Sequence, residues 1–240
     1  MRGSEIRPLS SSIATATVVP AIAAATRAAI TNLFAAVTRP DAPWAAMTPA
    51  SLSLAGGVIR MGARSLPIAE ALAGAAIDRV AGEATAQPGE EREQFSFRSF
   101  GAHCVEVRWD PAISKLRVAR IVSVIDAGRI MNAKTARSQI EGALVMGLGM
   151  ALLEQAVYHP RDGRVVNDNL ADYHVPVHAD LPDLDVALLD RPDPHMGDFG
   201  ARGLGEIGIT GLAAAIANAT FHATGQRIRD LPLTIEKLIG

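Results

Sequence analysis

A single carboxylate, Glu206, stands in the run Gly203-Leu204-Gly205-Glu206-Ile207-Gly208, between a loop bearing His, Asp and Arg and a long Ala-rich segment. Glycines from Gly197 to Gly211 flank it and leave open space around whatever is bound there. A carboxylate held in a dry, open-walled loop has its charged form disfavoured by desolvation, and a general base poised near neutral pH is built that way. The alternative is a surface carboxylate on the first turn of the following helix, where the macrodipole favours negative charge.

Two further polar features accompany it. A hydroxyl-rich run, Ser10-Ser11-Ser12-Ile13-Ala14-Thr15-Ala16-Thr17, precedes a helical segment, and Gln139 lies on a segment bearing Gly142, Gly147 and Gly149. Hydroxyls, a side-chain amide and free backbone N–H groups suit a polar, phosphate-bearing cofactor, and helix N-termini add anion affinity. Taken singly, a Ser/Thr run serves equally as an N-cap and a helical Gln as a surface residue. His195 and Arg202 lie near Glu206 in sequence and could face a substrate. Nothing pairs His195 with a second residue at a metal-ligand spacing, so it reads as a loop residue and no metal ligands are assigned. Cys104, in the alternating stretch His103-Cys104-Val105-Glu106-Val107, reads as a packed strand residue.

The composition narrows the class. With 240 residues, 49% hydrophobic content and a formal net charge of -2, the chain can bury a core in one or two units and carries no electrostatic footprint for nucleic acid. Its single cysteine excludes a disulfide framework and a Cys-rich metal or iron–sulfur site within the chain. The first residues lack the apolar core of a signal peptide. No uncharged apolar stretch reaches the roughly 20 residues that cross a bilayer. A cytoplasmic protein without a membrane span is expected, with export alongside a signal-bearing partner as the alternative.

The elements that must position these residues follow from periodicity. Pro20 suits the first turn of an Ala-rich helix over residues 20–36, which Pro40 and Pro43 end. A short hairpin turns at Gly56-Gly57, and a helix is predicted over 68–81. Alternation over 95–109 and 115–124 predicts a β-hairpin ending in the polar turn Asp126-Ala127-Gly128-Arg129-Ile130-Met131-Asn132. Asp126 and Arg129 read as structural, holding that turn by local hydrogen bonds. A helix over 133–154 follows; interior glycines cost about 1 kcal/mol each, so its three predict tight packing against a backbone or ligand. Short strands near Val165 and Val186 and a helix over 209–223, with Gly225 as its C′ residue, complete an α+β arrangement. The boundary is placed between residues 1–94, a cofactor-loop and helical segment, and residues 95–240.

In this order the features resemble the C-terminal third of the molybdopterin-binding subunit of the xanthine dehydrogenase/aldehyde oxidase family. The likeness covers nearly the whole chain and is strongest over 100–154 and 197–238. Asp126, Gly128, Arg129 and Asn132 match the family's Asp-x-Gly-Arg-x-x-Asn turn. Gln139, Glu141, Gly142 and Ala143 match its Gln-x-Glu-Gly-Ala helix, and Gly203, Gly205 and Glu206 its Gly-x-Gly-Glu loop. The ending Leu231-Pro232-Leu233-Thr234-Ile235-Glu236-Lys237-Leu238 is also similar. The resemblance implies the C-terminal part of a molybdenum-cofactor-binding domain, a mixed sheet with a hairpin and Ala/Gly-rich helices. It implies Glu206 as the general base, and Gln139, Ser11, Ser12, Thr15 and Gly205 as contacts to molybdopterin or its cytosine dinucleotide form. Where the family's serine loop has glycines, this chain has Ser10 and Ser11.

The same likeness implies partners. Family subunits are several times longer, and their earlier portion supplies much of the cofactor surface and the substrate-binding half of the pocket. The expected function is therefore part of a molybdenum hydroxylase that oxidises aldehydes or N-heterocycles with oxygen from water. It would act with an N-terminal portion of the same subunit, an iron–sulfur subunit and a flavin subunit. An inactive truncated remnant and a non-enzymatic interaction domain on the same scaffold are the alternatives.

Overall fold

The structure, a computed structural model, describes residues 14–87 and 89–239. Ser11 and Ser12 lie outside the described residues. The chain divides into two compact units, Thr17–Glu91 and the remainder.

In the Thr17–Glu91 unit, α1 (Ala14–Val37), whose first residues through Ala16 belong to the other unit, leads into a meander of β1 (Ser53–Ala55), β2 (Val58–Met61) and β3 (Arg64–Pro67), then α2 (Ile68–Gly74). The chain is already helical at Ala14, so Pro20 lies inside α1 rather than in its first turn. Alanines on both sides carry the helix past the one hydrogen bond that proline removes. By length and composition alone α1 qualifies as a membrane span over Thr15–Val37, which a search for uncharged stretches misses because Arg27 interrupts it. Its C-terminal end sends Leu33, Ala36 and Val37 into the unit's interior with Trp44, Leu52, Ile59 and Ala71.

The β1–β2 hairpin turns where the sequence predicts, with both Gly56 and Gly57 at positive φ. Helix α2 stops seven residues short of the expected Ala81. The chain leaves helical geometry at Ala75, and Ala76 takes φ +56°.

In the other unit, α3 (Glu91–Gln94) precedes β4 (Phe100–Asp110) and β5 (Lys115–Asp126), the predicted hairpin. Then come α4 (Ala133–Leu152), β6 (Asp183–Leu189), α5 (Leu212–Thr224) and α6 (Ile235–Ile239). The sheet order is β4-β5-β6, the first pair antiparallel and the second parallel, so the sheet is mixed as expected. Parallel pairing needs a crossover, and α4 supplies it. The segment near Val165 forms only an isolated bridge with Tyr158.

Helices α4 and α5 cover one face of the sheet. Ile121, Ile125 and Val186 meet Ile140, Leu144 and Leu148 of α4 and Leu212 and Ile216 of α5. Each such buried aliphatic side chain contributes about 1.5–3 kcal/mol. Gly147 lets α4 and α5 close on each other, since a Cβ there would lie 2.7 Å from Leu212 Cδ2. Gly149 is also tight, against Glu154 and Pro176, but Gly142 faces open space, so two of the three glycines are closely packed, and against side chains rather than a backbone or a ligand. On the opposite face Cys104 pairs with Val122 and is exposed. It is not a packed residue, because the period of two that buries the Val105–Val107 side turns Cys104 outward.

His103 points inward from β4. Its Nδ1 lies 2.6 Å from the hydroxyl of the fully buried Ser123, and its Nε2 lies 3.0 Å from the Thr210 carbonyl. A carbonyl only accepts, so Nε2 carries the proton and Nδ1 accepts from Ser123. Burial pushes the His103 pKa below its usual 6.5, against the smaller upward pull of the Thr210 and Ile207 backbone. In the unfolded chain His103 protonates first as pH falls, so its stabilising contribution is complete above about 6.5 and is lost as pH drops toward the lowered folded value. Urea unfolding across this range should therefore show stability declining below pH 6.5 in the parent and a flatter profile in His103→Gln. An unchanged slope in the variant would assign the effect to another group.

Candidate functional site

The end of β5, the turn into α4 and the loop before α5 are tied together by one cation. Asp126 Oδ1 accepts the Gly128 N–H at 3.1 Å and also accepts from Arg202 Nη2. Arg202 Nη1 donates to Asp193 Oδ2 at 2.8 Å. The three side chains are largely buried, at 12% exposed for Arg202, 25% for Asp126 and 13% for Asp193. Backbone bonds reinforce the clamp: Arg202 N–H donates to Ala127 O, and the Arg129 and Asp193 N–H groups both donate to Gly200 O. Gly128 sits at φ +72°, and a Cβ there would fall 2.2 Å from Gly200 O, so only glycine allows this approach.

Arg202 is thus occupied by carboxylates rather than free to face a substrate. Among the described residues its Nε has no partner. Asp126 holds the turn as the sequence predicts, whereas Arg129 does so through its backbone N–H alone. The Arg129 side chain is exposed and, among the described residues, joins no ion pair and no hydrogen bond. His195 is a loop residue. Its ring stacks on Phe95 with centroids 3.9 Å apart, and its N–H donates to Asp193 Oδ1.

Helix α4 begins under an Asn132 cap, whose Oδ1 accepts the Thr135 N–H at 3.1 Å. Beside this helix start lies a cavity of about 380 Å³, lined by Thr15, Arg129, Asn132, Thr135, Gln139 and Gly205 among others. Three of the expected cofactor contacts, Thr15, Gln139 and Gly205, therefore meet at one cavity. The Gln139 side chain is exposed and makes no hydrogen bond among the described residues. Glu206 follows Gly205 directly. Its carbonyl accepts from Ile209 N–H at 3.3 Å, and the Ser99 hydroxyl donates to Gly203 O to anchor the loop.

Helix α5 starts only at Leu212, so Glu206 sits in a turn and not on the helix's first turn. The turn is not dry, because Glu206 is exposed. A second cavity of about 440 Å³, between β4 and α5, is larger but contains none of the expected site residues; His103, Val105 and Val107 line it with α5 alanines. Sequence reasoning misses the role of Asp193. Its pairing with Arg202 joins two irregular stretches, which leave no periodic trace.

Residues 7–182 match the model of the molybdopterin cofactor-binding domain family. The chain is similar to the aldehyde oxidoreductase molybdenum-binding subunit of Escherichia coli (strain K12), with 44% identity over 191 residues, 80% of this chain and 26% of that protein. It is 40% identical over 140 residues to the xanthine dehydrogenase molybdenum-binding subunit of Escherichia coli O157:H7, covering 58% of this chain and 18% of that one. Among solved structures it resembles quinoline 2-oxidoreductase from Pseudomonas putida 86, with a TM-score of 0.71 and 23% identity over 89% of this chain and 27% of that chain. That last likeness shows the fold. The stretch aligned with the aldehyde oxidoreductase subunit is 26% of that protein's length. The chain belongs to the molybdopterin cofactor-binding domain family, as part of a molybdenum-binding subunit of the xanthine dehydrogenase type.

Proposed function

We propose that this chain supplies one wall and the general base of a molybdenum hydroxylase site that oxidises aldehydes or N-heteroaromatic compounds with oxygen from water. Turnover requires the rest of the subunit and iron–sulfur and flavin partners. The observation that carries this reading is the meeting of Thr15, Gln139 and Gly205, far apart in sequence, at one cavity whose lining reaches Gly205, the residue before Glu206. The donor set fits a phosphate-bearing pterin: a side-chain amide with no hydrogen bond among the described residues, a hydroxyl and a guanidinium.

When bound, the molybdenum cofactor, as molybdopterin or its cytosine dinucleotide, supplies the redox centre and acidifies the oxygen nucleophile. The chain's own residues do the rest. The Glu206 carboxylate would serve as proton acceptor beside that group, and its place in a turn between glycines leaves room for the reacting molecules. Gln139 would orient the cofactor through its amide, with Thr15 and Gly205 in the same lining. The Arg202 clamp ties the loop that carries Ala201, Leu204 and Gly205 to the turn after β5, whose residues share the cavity lining.

The test is co-expression of this chain with the remaining portion of a related subunit and its iron–sulfur and flavin partners. Stoichiometric molybdenum and pterin in the purified assembly are expected. A well-formed complex lacking both would overturn the reading and make the chain a non-enzymatic interaction domain.

A further inference from the structure

Two arginines line the cavity beside Glu206, and the fold treats them differently. Arg202 is bracketed by Asp126 and Asp193, so its charge is compensated. Arg129 is exposed and, among the described residues, has no carboxylate and no hydrogen-bond acceptor on its side chain. Asp190, which follows β6, is used on the neighbouring backbone, where its Oδ1 accepts the Ile130 N–H at 2.9 Å. At the start of α4 the Asn132 side chain takes the Thr135 N–H. Among the described residues, the cavity therefore presents one guanidinium without a carboxylate and, in the same lining, the Gln139 amide without a hydrogen bond.

A planar guanidinium with five donors matches phosphate oxygens two at a time, which neither an amide nor an ammonium does. We propose that Arg129 is the anion-anchoring residue of this cavity. It takes a phosphate or diphosphate group of the bound cofactor, with Gln139 as the neutral hydrogen-bonding partner. The proposal rests on the cofactor reading above and deepens it by naming the residue that holds the charged end.

Arg129→Ala removes an exposed side chain with no partner among the described residues, so the variant should fold as the parent does. Calorimetric titration of the 240-residue chain with inorganic pyrophosphate at low ionic strength reads the site without molybdenum. Arg129→Ala is expected to weaken binding about tenfold or more, because a charge-assisted pair is lost. Arg129→Lys should recover part of the affinity, and Gln139→Leu should lose only a few-fold, as expected for a neutral bond. Equal affinity in parent and Arg129→Ala, or no pyrophosphate binding by the parent, overturns the proposal.

A second arm separates this from the cofactor reading. Pterin content is measured in the assembled complex with parent chain and with Arg129→Ala. A parent assembly without pterin, combined with Arg129-dependent pyrophosphate binding, sinks the cofactor reading and leaves the anion site standing. A parent assembly fully loaded, with Arg129→Ala loaded equally, sinks the anion anchor and leaves the cofactor reading standing.

Discussion

Glu206→Gln, in an assembly with the complementary subunit portions, is expected to lower turnover by about 10²–10⁴-fold, the usual contribution of a positioned general base. Gln keeps the size of the side chain and removes its ability to accept a proton. Because Glu206 is exposed and lies in a turn, the substitution should leave stability within about 0.5 kcal/mol and leave molybdenum and pterin content unchanged. The loss should appear in kcat with little change in KM, since the proton transfer belongs to the transition state and not to substrate binding. Full activity in the variant, or loss of metal along with activity, would remove Glu206 as the base.

The second large effect concerns stability. Arg202→Met keeps the length of the side chain and deletes its charge, leaving the Asp126 and Asp193 carboxylates facing each other's loops without a cation. Removing one member of a buried ionic cluster costs about 3–5 kcal/mol, because the remaining charges stay desolvated and unpaired. The exposures of 12%, 25% and 13% place this cluster in that regime rather than among surface pairs. Denaturant unfolding should show a lowered midpoint with an unchanged slope. Arg202→Lys should be intermediate, since a point charge cannot bridge two carboxylates through separate nitrogens. Combining Arg202→Met with Asp126→Asn and Asp193→Asn should recover part of the loss. A Met variant within about 0.5 kcal/mol of the parent would show that the clamp contributes shape alone.

The clamp also marks where sequence reasoning ran out. The β4–β5 hairpin was legible because a half-buried antiparallel pair writes its burial as alternation, and α4 was legible as the helix that follows the polar turn ending at Asn132. The grouping of Thr15, Gln139 and Gly205 was legible only through motif order, since nothing in their spacing says that a helix start and a loop share a wall. Glu206 shows the reverse error. Its glycine neighbours suggested a dry loop, but dryness depends on what covers the turn, and local sequence does not encode that. Cys104 was misjudged for a simpler reason: the same alternation that buries Val105 and Val107 requires Cys104 to face outward. Helix α2 ended early because Ala76 adopts a left-handed conformation that no propensity scale assigns to alanine.

The parallel pairing of β5 with β6 makes the chain leave the sheet at Asp126 and return at Asp183. In closure-entropy terms such a long excursion is insensitive to its own length: doubling a flexible connection adds only about 0.6 kcal/mol. The stretch between α4 and β6 can therefore absorb insertions and deletions at little thermodynamic expense. The stretch from Asp193 to Arg202 cannot. Both of its ends are pinned on the same ion pair, and its Gly200, at φ +62°, would bring a Cβ within 2.6 Å of Asp193 N. Length variation on this scaffold belongs in the crossover, while the cavity's rim is held to a constant chain length.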